Sequence, residues 1–385
     1  MHICHVITRL IVGGAQENTI LTCEGLHQRG HQVTLISGPT RGPEGSLVAR
    51  ARAGGYEYIE IPELIRAVNP WMDCRARRVL CAEFLRLKPD IVHTHSSKAG
   101  IVGRYAAHDA RVPRIVHTIH GMSFNRTQPW LVRTAFARLE RWAAHRSNAI
   151  VAVADALIAQ SVAARICPRQ KLRTIYSGME IERFTPTPQR RAAARRGWGI
   201  FDDDVVVVGT IARLFRRKGY EQLIPIMAQA AAQEPRLRFI WVGNGAQRAE
   251  YEAELDRLGL RERTTLAGLV PPEQVPELIA GFDILAHTSQ WEGLPRGVVQ
   301  ALLMHVPAVA FDIDGTPEVV RDGVTGRLIP LGNLESFAEA LVELAADVER
   351  RQAWGRAGRE HCLPLFDWRN MVTQLEGLYG ALLHV

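Results

Sequence analysis

The densest chemistry in this 385-residue chain lies between Thr288 and Leu302, in the stretch TSQWEGLPRGVVQAL. An apolar run, Ile284-Leu285-Ala286, reads as the end of a strand, and a loop carrying Glu292 follows it. Pro295 then opens a helix, where its missing N–H would have had no partner in any case. The Gly293-Leu294 turn leaves backbone N–H groups facing outward, and with the helix dipole they make a site for an anion such as a diphosphate. Glu292 sits at the mouth of that site, where a carboxylate can accept hydrogen bonds from sugar hydroxyls. Gln300, eight residues on, is expected two turns up the helix, so that carboxylate, anion cradle and amide line one pocket.

Cations stand elsewhere in the chain. Arg213 and Lys218 follow an apolar run, Val205–Ile211, in GTIARLFRRKGYEQL. Arg can grip a diphosphate in a bidentate fashion and Lys can act on it as a point charge. Their neighbours Arg216 and Arg217 read as solvated surface. Near the start, Gly13-Gly14 closes the first apolar run, and the lack of a Cβ would let backbone approach a phosphate. Such a pair alone is equally an ordinary strand-to-helix turn.

Four histidines cluster in sequence: His93, His95, His117 and His120. No carboxylate or cysteine accompanies them at ligand spacing, so no metal site is expected. Asp202-Asp203-Asp204 directly precedes a strand and reads as a turn at its start. Asp312-Ile313-Asp314-Gly315 reads as a turn at a strand end, with Gly315-Thr316 beside the pocket.

Gly13-Gly14-Ala15-Gln16, His120-Gly121, Arg213 with Lys218-Gly219, and Glu292-Gly293-Leu294-Pro295 together resemble, in order and spacing, the motifs of retaining glycosyltransferases of family 4. The likeness covers nearly the whole chain and ends in Phe366-Asp367-Trp368 before a last helix. It implies the GT-B fold, with Gly14, Arg213, Lys218, Glu292, Gly293, Leu294 and Gln300 as donor-binding residues. His120, Glu292, Arg213 and Lys218 would be the catalytic set. His95, Ser97 and Lys98 would lie on the acceptor side, as in bacterial members that extend lipid-linked or surface glycans. The donor implied is a nucleotide sugar, UDP-linked, and the acceptor a glycan or a polyprenyl-diphosphate-linked glycan. No metal and no cofactor is implied, since protein cations and dipoles stabilise the leaving group. One departure stands out: the family usually has Glu where this chain has Gln300.

Alternating strand and helix signals supply the scaffold. Ile3–Ile7, Gln32–Ile36, Ile91–His93, Arg114–Thr118 and Ala149–Val153 read as strands, with helical periods such as Glu17–Arg29 and Val79–Leu87 between them. The pattern restarts after Pro186-Thr187-Pro188 and a basic helix, Arg190–Arg196. Strands then recur at Val205–Ile211, Arg238–Val242, Thr264–Ala267, Ile284–His287 and Ala308–Phe311. Two such series predict an α/β protein with two doubly wound Rossmann-like domains facing across a cleft. The expected boundaries are 1–178 for the N-terminal, acceptor-side domain and 179–364 for the nucleotide-sugar domain. A helix at 365–385 is expected to return to the first domain.

Composition bounds the rest. At 47% hydrophobic and 23% charged, the chain is long enough for two cores. Six cysteines are scattered without a Cys-x-x-Cys pair, which fits a reducing, cytoplasmic setting. No run approaches the ~20 apolar residues of a spanning helix. The net charge of +7 divides into +12 for Met1–Arg173 and −5 for the remainder. A basic N-terminal half suits either a phosphorylated acceptor or an anionic membrane surface on the cytoplasmic side, or it is no more than solvated Arg-rich helix faces. Pro129–Arg146 is amphipathic, and both an interfacial helix and an ordinary core-facing stripe fit it. Nucleic acid is not an expected partner, because aromatics do not alternate with basic residues at stacking spacing. A nucleotide-sugar epimerase of the same architecture is the enzymatic alternative, and a non-catalytic anion- or nucleic-acid-binding protein the more distant one.

Overall fold

Two all-parallel sheets organise the chain, and in this computed structural model the described residues are 1–42, 44–124 and 128–384. The first sheet contains β1 (His2–Ile7), β2 (Gln32–Ser37), β3 (Glu57–Glu60), β4 (Ile91–His95), β5 (Arg114–Ile119), β6 (Ala149–Ala152) and β7 (Leu172–Thr174), in the order β3-β2-β1-β4-β5-β6-β7. Its helices are α1 (Gly14–Gln28), α2 (Val48–Ala53), α3 (Pro70–Leu87), α4 (Ser97–Asp109), α5 (Trp130–His145) and α6 (Asp155–Ala163). The central strands β1, β4 and β6 are buried along their whole length, as strands covered by helices on both faces must be.

The second series begins at α7 (Pro188–Gly197), where Thr187 caps the helix by accepting from the Arg190 N–H at 3.2 Å. Its strands are β8 (Val206–Ile211), β9 (Leu237–Val242), β10 (Thr264–Gly268), β11 (Ile284–His287), β12 (Ala308–Asp312) and β13 (Gly326–Pro330), in the order β10-β9-β8-β11-β12-β13. The helices are α8 (Tyr220–Gln233), α9 (Arg248–Arg257), α10 (Val275–Ile279), α11 (Arg296–Leu303), α12 (Leu334–Ala346) and α13 (Val348–Phe366), and α14 (Trp368–Leu383) ends the chain. Trp241, Phe239, Phe311, Phe337 and Tyr220 fill the core of this unit.

The chain divides into two compact units, Met1–Met179 with Phe366–Val385, and Glu180–Leu365. Of the C-terminal segment expected at 365–385, Val385 lies outside the described residues. Helix α14 belongs to the first unit. Met179 N–H donates to the Phe366 carbonyl at 2.8 Å, and Trp368 N–H donates back to Met179 at 3.1 Å. The α14 side chains then lie on α1, so closely that a Cβ on Gly25 would stand 2.7 Å from Val372. Glu376 accepts from Arg29 at 2.6 Å.

The expected strands coincide with those observed, to within a residue or two. The strands missed are β3, β7 and β13, each at the edge of a sheet, and their sequences EYIE, LRT and GRLIP are only partly buried. In each sheet the strand order reverses direction once, between β1 and β4 and between β8 and β11. At such a switch point the loops leaving the strands' carboxyl ends part, and a ligand site opens there.

Candidate functional site

In the second unit the loops after β8, β11 and β12 meet at the switch point. The loop after β8 is drawn in by Gly219, whose φ of +83° is left-handed and where a Cβ would fall 1.7 Å from the Thr288 carbonyl oxygen. Only glycine fits. Thr288 Oγ1 donates to the Gly219 carbonyl at 3.0 Å, and Gln290 N–H donates to the Arg217 carbonyl at 3.1 Å. With the two loops joined in this way, Lys218 Nζ donates to Glu292 Oε1 at 2.6 Å. From the other side, Asp314 Oδ2 accepts from the Glu292 N–H at 2.9 Å.

This geometry fixes the charge state of Glu292. Burial works to raise its carboxyl, but the Lys218 ammonium, His287 and the hydrogen bonds from Lys218 and Ser289 outweigh it, so the net direction is downward. His287, at the end of β11, has its Nε2 3.6 Å from Glu292 Oε1. Burial pushes this imidazole down to about 4, against the pull of the carboxylate. The arrangement is a carboxylate held ionised between a cation and a neutral imidazole, able to accept hydrogen bonds from hydroxyl groups.

The other second-unit residues expected to bind the donor lie on the same loops and on α11. Leu294 is buried, and α11 begins at Arg296 with the Val298 and Val299 N–H groups turned back on the Pro295 carbonyl. Gln300 is therefore the fifth residue of the helix, one turn up rather than two, because the residues from Trp291 to Pro295 precede the helix. Arg213 is exposed, with its guanidinium 5.2 Å from the Phe215 ring centre. Arg216 pairs with Glu250 at 3.1 Å on the surface, as a solvated cation should. Asp202 and Asp204 are exposed, and Asp202 accepts from the Asp204 N–H at 2.9 Å, a turn at the strand start.

In the first unit the loops after β1, β4 and β5 occupy the corresponding place. Gly14 is the first residue of α1, which no side chain caps. His95 ends β4, and His120 directly follows β5. Their rings are joined, with His95 Nδ1 and His120 Nε2 3.1 Å apart. Ser96 adopts a left-handed φ of 61°, and its hydroxyl lies 2.7 Å from that of Thr8. Ser97 opens α4. The Lys98 ammonium pairs with Asp73 and donates to the Ala67 carbonyl at 2.8 Å, tying the start of α4 to α3 and the loop before it.

Sequence reasoning gave no role to His5 or His287 and read Asp314 as a turn residue only. His5 sits on β1 next to β4, opposite His93, and one ring nitrogen from each of His5, His93 and His95 lies within 4.8 Å of the other two, a spacing a metal ion could use. Each nitrogen of His93 and of His95 already has a hydrogen-bond partner: Tyr379 and Thr118 for His93, His120 and His5 for His95. Sequence spacing could not bring His5 to His95, because 90 residues separate them. For His287 the signal was a polar residue closing an otherwise apolar strand.

On α5 the tryptophans of the amphipathic stretch do not face the core of this unit. Trp130, Leu131 and Trp142 are 66%, 63% and 60% exposed. The helix is instead anchored by Ala143, Ala144 and Glu140, whose carboxylate meets the fully buried Arg104 at 2.7 Å. The apolar side chains are therefore a surface feature within the described residues of this unit.

Two family descriptions match the chain. The family described as "Glycosyltransferase Family 4" matches residues 12–183, and "Glycosyl transferases group 1" matches residues 191–361. A D-inositol 3-phosphate glycosyltransferase of Kribbella flavida is 30% identical over 335 residues, 82% of this chain and 77% of its own. A UDP-Gal:alpha-D-GlcNAc-diphosphoundecaprenol alpha-1,3-galactosyltransferase of Escherichia coli is 27% identical over 354 residues, 90% and 88% of the two chains. Among solved structures, Anabaena HepE in complex with UDP and glucose superimposes with a TM-score of 0.84 at 21% identity, covering 99% of this chain and 100% of that one.

Proposed function

This chain is a glycosyltransferase of family 4 with the GT-B fold, and from that premise we propose that it moves a sugar from a UDP-sugar to a hydroxyl of a glycan or polyprenyl-diphosphate-linked acceptor, with retention at the anomeric carbon. The observation that carries the reading is the Lys218–Glu292 pair, set by the Gly219–Thr288 contact at the mouth of α11. Glu292, held ionised, accepts from hydroxyls of the donor sugar. Lys218 and Arg213 supply positive charge for the diphosphate, and the backbone at Gly293 and Leu294 supplies dipoles. Gln300 meets the ribose. In the first unit, Gly14 gives room for phosphate and His120 contacts the sugar, while His95, Ser97 and Lys98 stand on the acceptor side. The UDP and glucose in the HepE complex support the donor class, and the diphosphoundecaprenol in the name of the Escherichia coli relative supports the acceptor class.

The reaction follows from those roles. The bond between the anomeric carbon and the diphosphate oxygen breaks, and the acceptor oxygen bonds to the same face of that carbon. The acceptor proton passes to an oxygen of the departing diphosphate. The charge that develops on the leaving group is what Arg213, Lys218 and the amides stabilise, so no metal is needed in this scheme. The exposed Trp130, Leu131 and Trp142 lie among Arg133, Arg138 and Arg141 on α5 in the basic half of the chain, and they support contact with an anionic membrane surface on the cytoplasmic face. Among the described residues no helix is long and apolar enough to cross a membrane.

Calorimetry with UDP, GDP and their sugars tests the donor. UDP and a UDP-sugar should bind in the presence of EDTA, and Arg213→Ala or Lys218→Ala should weaken UDP binding by about tenfold or more, since a charge-assisted contact contributes about 1.5–3 kcal/mol. Unchanged UDP affinity in both variants removes the diphosphate assignment. Donor turnover without acceptor would point to an epimerase. Sedimentation with phosphatidylglycerol vesicles, lost in a Trp130→Ser/Trp142→Ser variant, tests the membrane contact.

A further inference from the structure

We propose that His5 and His95 are positioning residues that lock the His120 ring in a single tautomer, with its proton on Nδ1. Three imidazoles form one hydrogen-bonded row through the first unit. His5 Nδ1 and His95 Nε2 are 3.0 Å apart, and His95 Nδ1 and His120 Nε2 are 3.1 Å apart. His5 and His95 are fully buried on the adjacent strands β1 and β4, and His120 stands at the end of β5 beside them.

A neutral imidazole has one N–H and one lone pair, so a row joined in this way has only two arrangements. Either every ring carries its proton on Nε2 and donates toward His5, or every ring carries it on Nδ1 and donates toward His120. The inner end of the row chooses between them. His5 Nε2 is buried and has no hydrogen-bond partner among the described residues. In the first arrangement that atom would be an orphaned N–H donor, and in the second an unused lone pair. Orphaned buried N–H groups are the rarer and costlier case. The row therefore runs outward: His5 Nδ1–H donates to His95 Nε2, and His95 Nδ1–H donates to His120 Nε2. With Nε2 occupied as an acceptor, His120 must carry its own proton on Nδ1.

The surroundings keep His5 and His95 neutral. Burial holds His5 and His95 far below the ordinary imidazole value, and His93 on β4 and His117 on β5 add to the effect on His95. Tyr379 on α14 and Thr118 on β5 engage His93, while Thr94 engages His117, with Arg104 of α4 further depressing it. None of these groups is an anion that would draw a second proton onto His5 or His95.

The consequence for the reaction rests on the reading of His120 as a sugar contact. A ring locked in this state is a donor at Nδ1 and not an acceptor, so it selects a sugar oxygen that can accept. A ring free to change tautomer would lose that preference.

The test uses the full chain labelled with 15N-histidine. Two-bond 15N–1H correlation spectra distinguish Nδ1–H from Nε2–H, and all three rings should show the Nδ1–H pattern. His95→Asn keeps an amide donor near the Nδ1 position and should leave the His120 pattern in place. His95→Leu removes that donor and should convert His120 to a mixture of tautomers, with KM for the nucleotide sugar raised about tenfold, the effect of one hydrogen bond. His5→Leu should mix the tautomers of both His95 and His120, whereas His5→Asn should not. An Nε2–H pattern on His95 or His120 in the unaltered protein overturns the inference, as does a His120 pattern indifferent to His95→Leu. If the tautomer pattern holds and His120→Ala leaves the donor KM unchanged, the lock stands and the sugar-contact reading fails.

Discussion

Acid should unfold the first unit by charging its buried imidazoles, and His5 alone sets a minimum for the effect. Its ring is fully buried, and burial pushes it down to about 3 from an ordinary value near 6.5. The unfolded chain therefore binds the proton first. Stability rises with pH across that window, is fully present above about 6.5, and falls steadily as the pH drops toward 3. At pH 5 the unfolded His5 is almost wholly protonated and the folded one is not, which costs about 2 kcal/mol relative to pH 7.5. For a unit of this size that corresponds to a fall in Tm of about 4–8 °C. His93, His95 and His117 are displaced in the same direction by burial, so the total acid sensitivity exceeds this figure. Hydrogen exchange of peptides covering β1 and β4, followed through urea unfolding at pH 7.5 and 5, reads the first unit specifically. His5→Asn removes the titrating ring and should lose about 2 kcal/mol less than the unaltered protein between the two pH values. Parallel losses in the two proteins would refute the reasoning.

Three further outcomes follow from single contacts. Glu292→Gln should weaken binding of the nucleotide sugar while leaving the free nucleotide bound as before, and calorimetry with UDP and a UDP-sugar decides it; equal losses would move Glu292 off the sugar. Gln300→Glu should hold or modestly tighten UDP affinity and Gln300→Leu should lower it, because the amide oxygen is a weaker acceptor than a carboxylate by roughly a factor of two; a titration in which Gln300→Leu binds as tightly as the unaltered protein excludes the ribose contact. Glu140→Ala leaves the fully buried Arg104 without its carboxylate and should cost about 3–5 kcal/mol in urea unfolding. Arg104→Met with Glu140→Leu should recover most of that, and failure to do so would mean that the pair does more than hold α5 on α4.

The sequence determined the class of the fold and most of its strands. Buried parallel strands need continuous apolar runs, and the helices between them need a 3.6-residue period, so both are written locally. The order of the loops was legible for the same reason, because Gly13-Gly14, His120-Gly121, Lys218-Gly219 and Glu292-Gly293 each follow a strand. Edge strands β3, β7 and β13 were not legible, since a half-exposed strand tolerates polar residues and carries no apolar run. The amphipathic period of α5 showed a sided helix but not which side faces the protein. That was decided by the Arg104–Glu140 pair and by the small residues Ala143 and Ala144, which let the helix lie with its tryptophans outward. Gln300 was placed a turn too far along because its eight-residue separation from Glu292 was counted as helix, whereas the residues up to Pro295 precede it. Only the tertiary structure joined Lys218 to Glu292 across 74 residues and His5 to His95 across 90. Parallel strands that are neighbours in a sheet are distant in the chain, so the partner of a buried charge or ring is chosen by strand order, which local sequence does not encode.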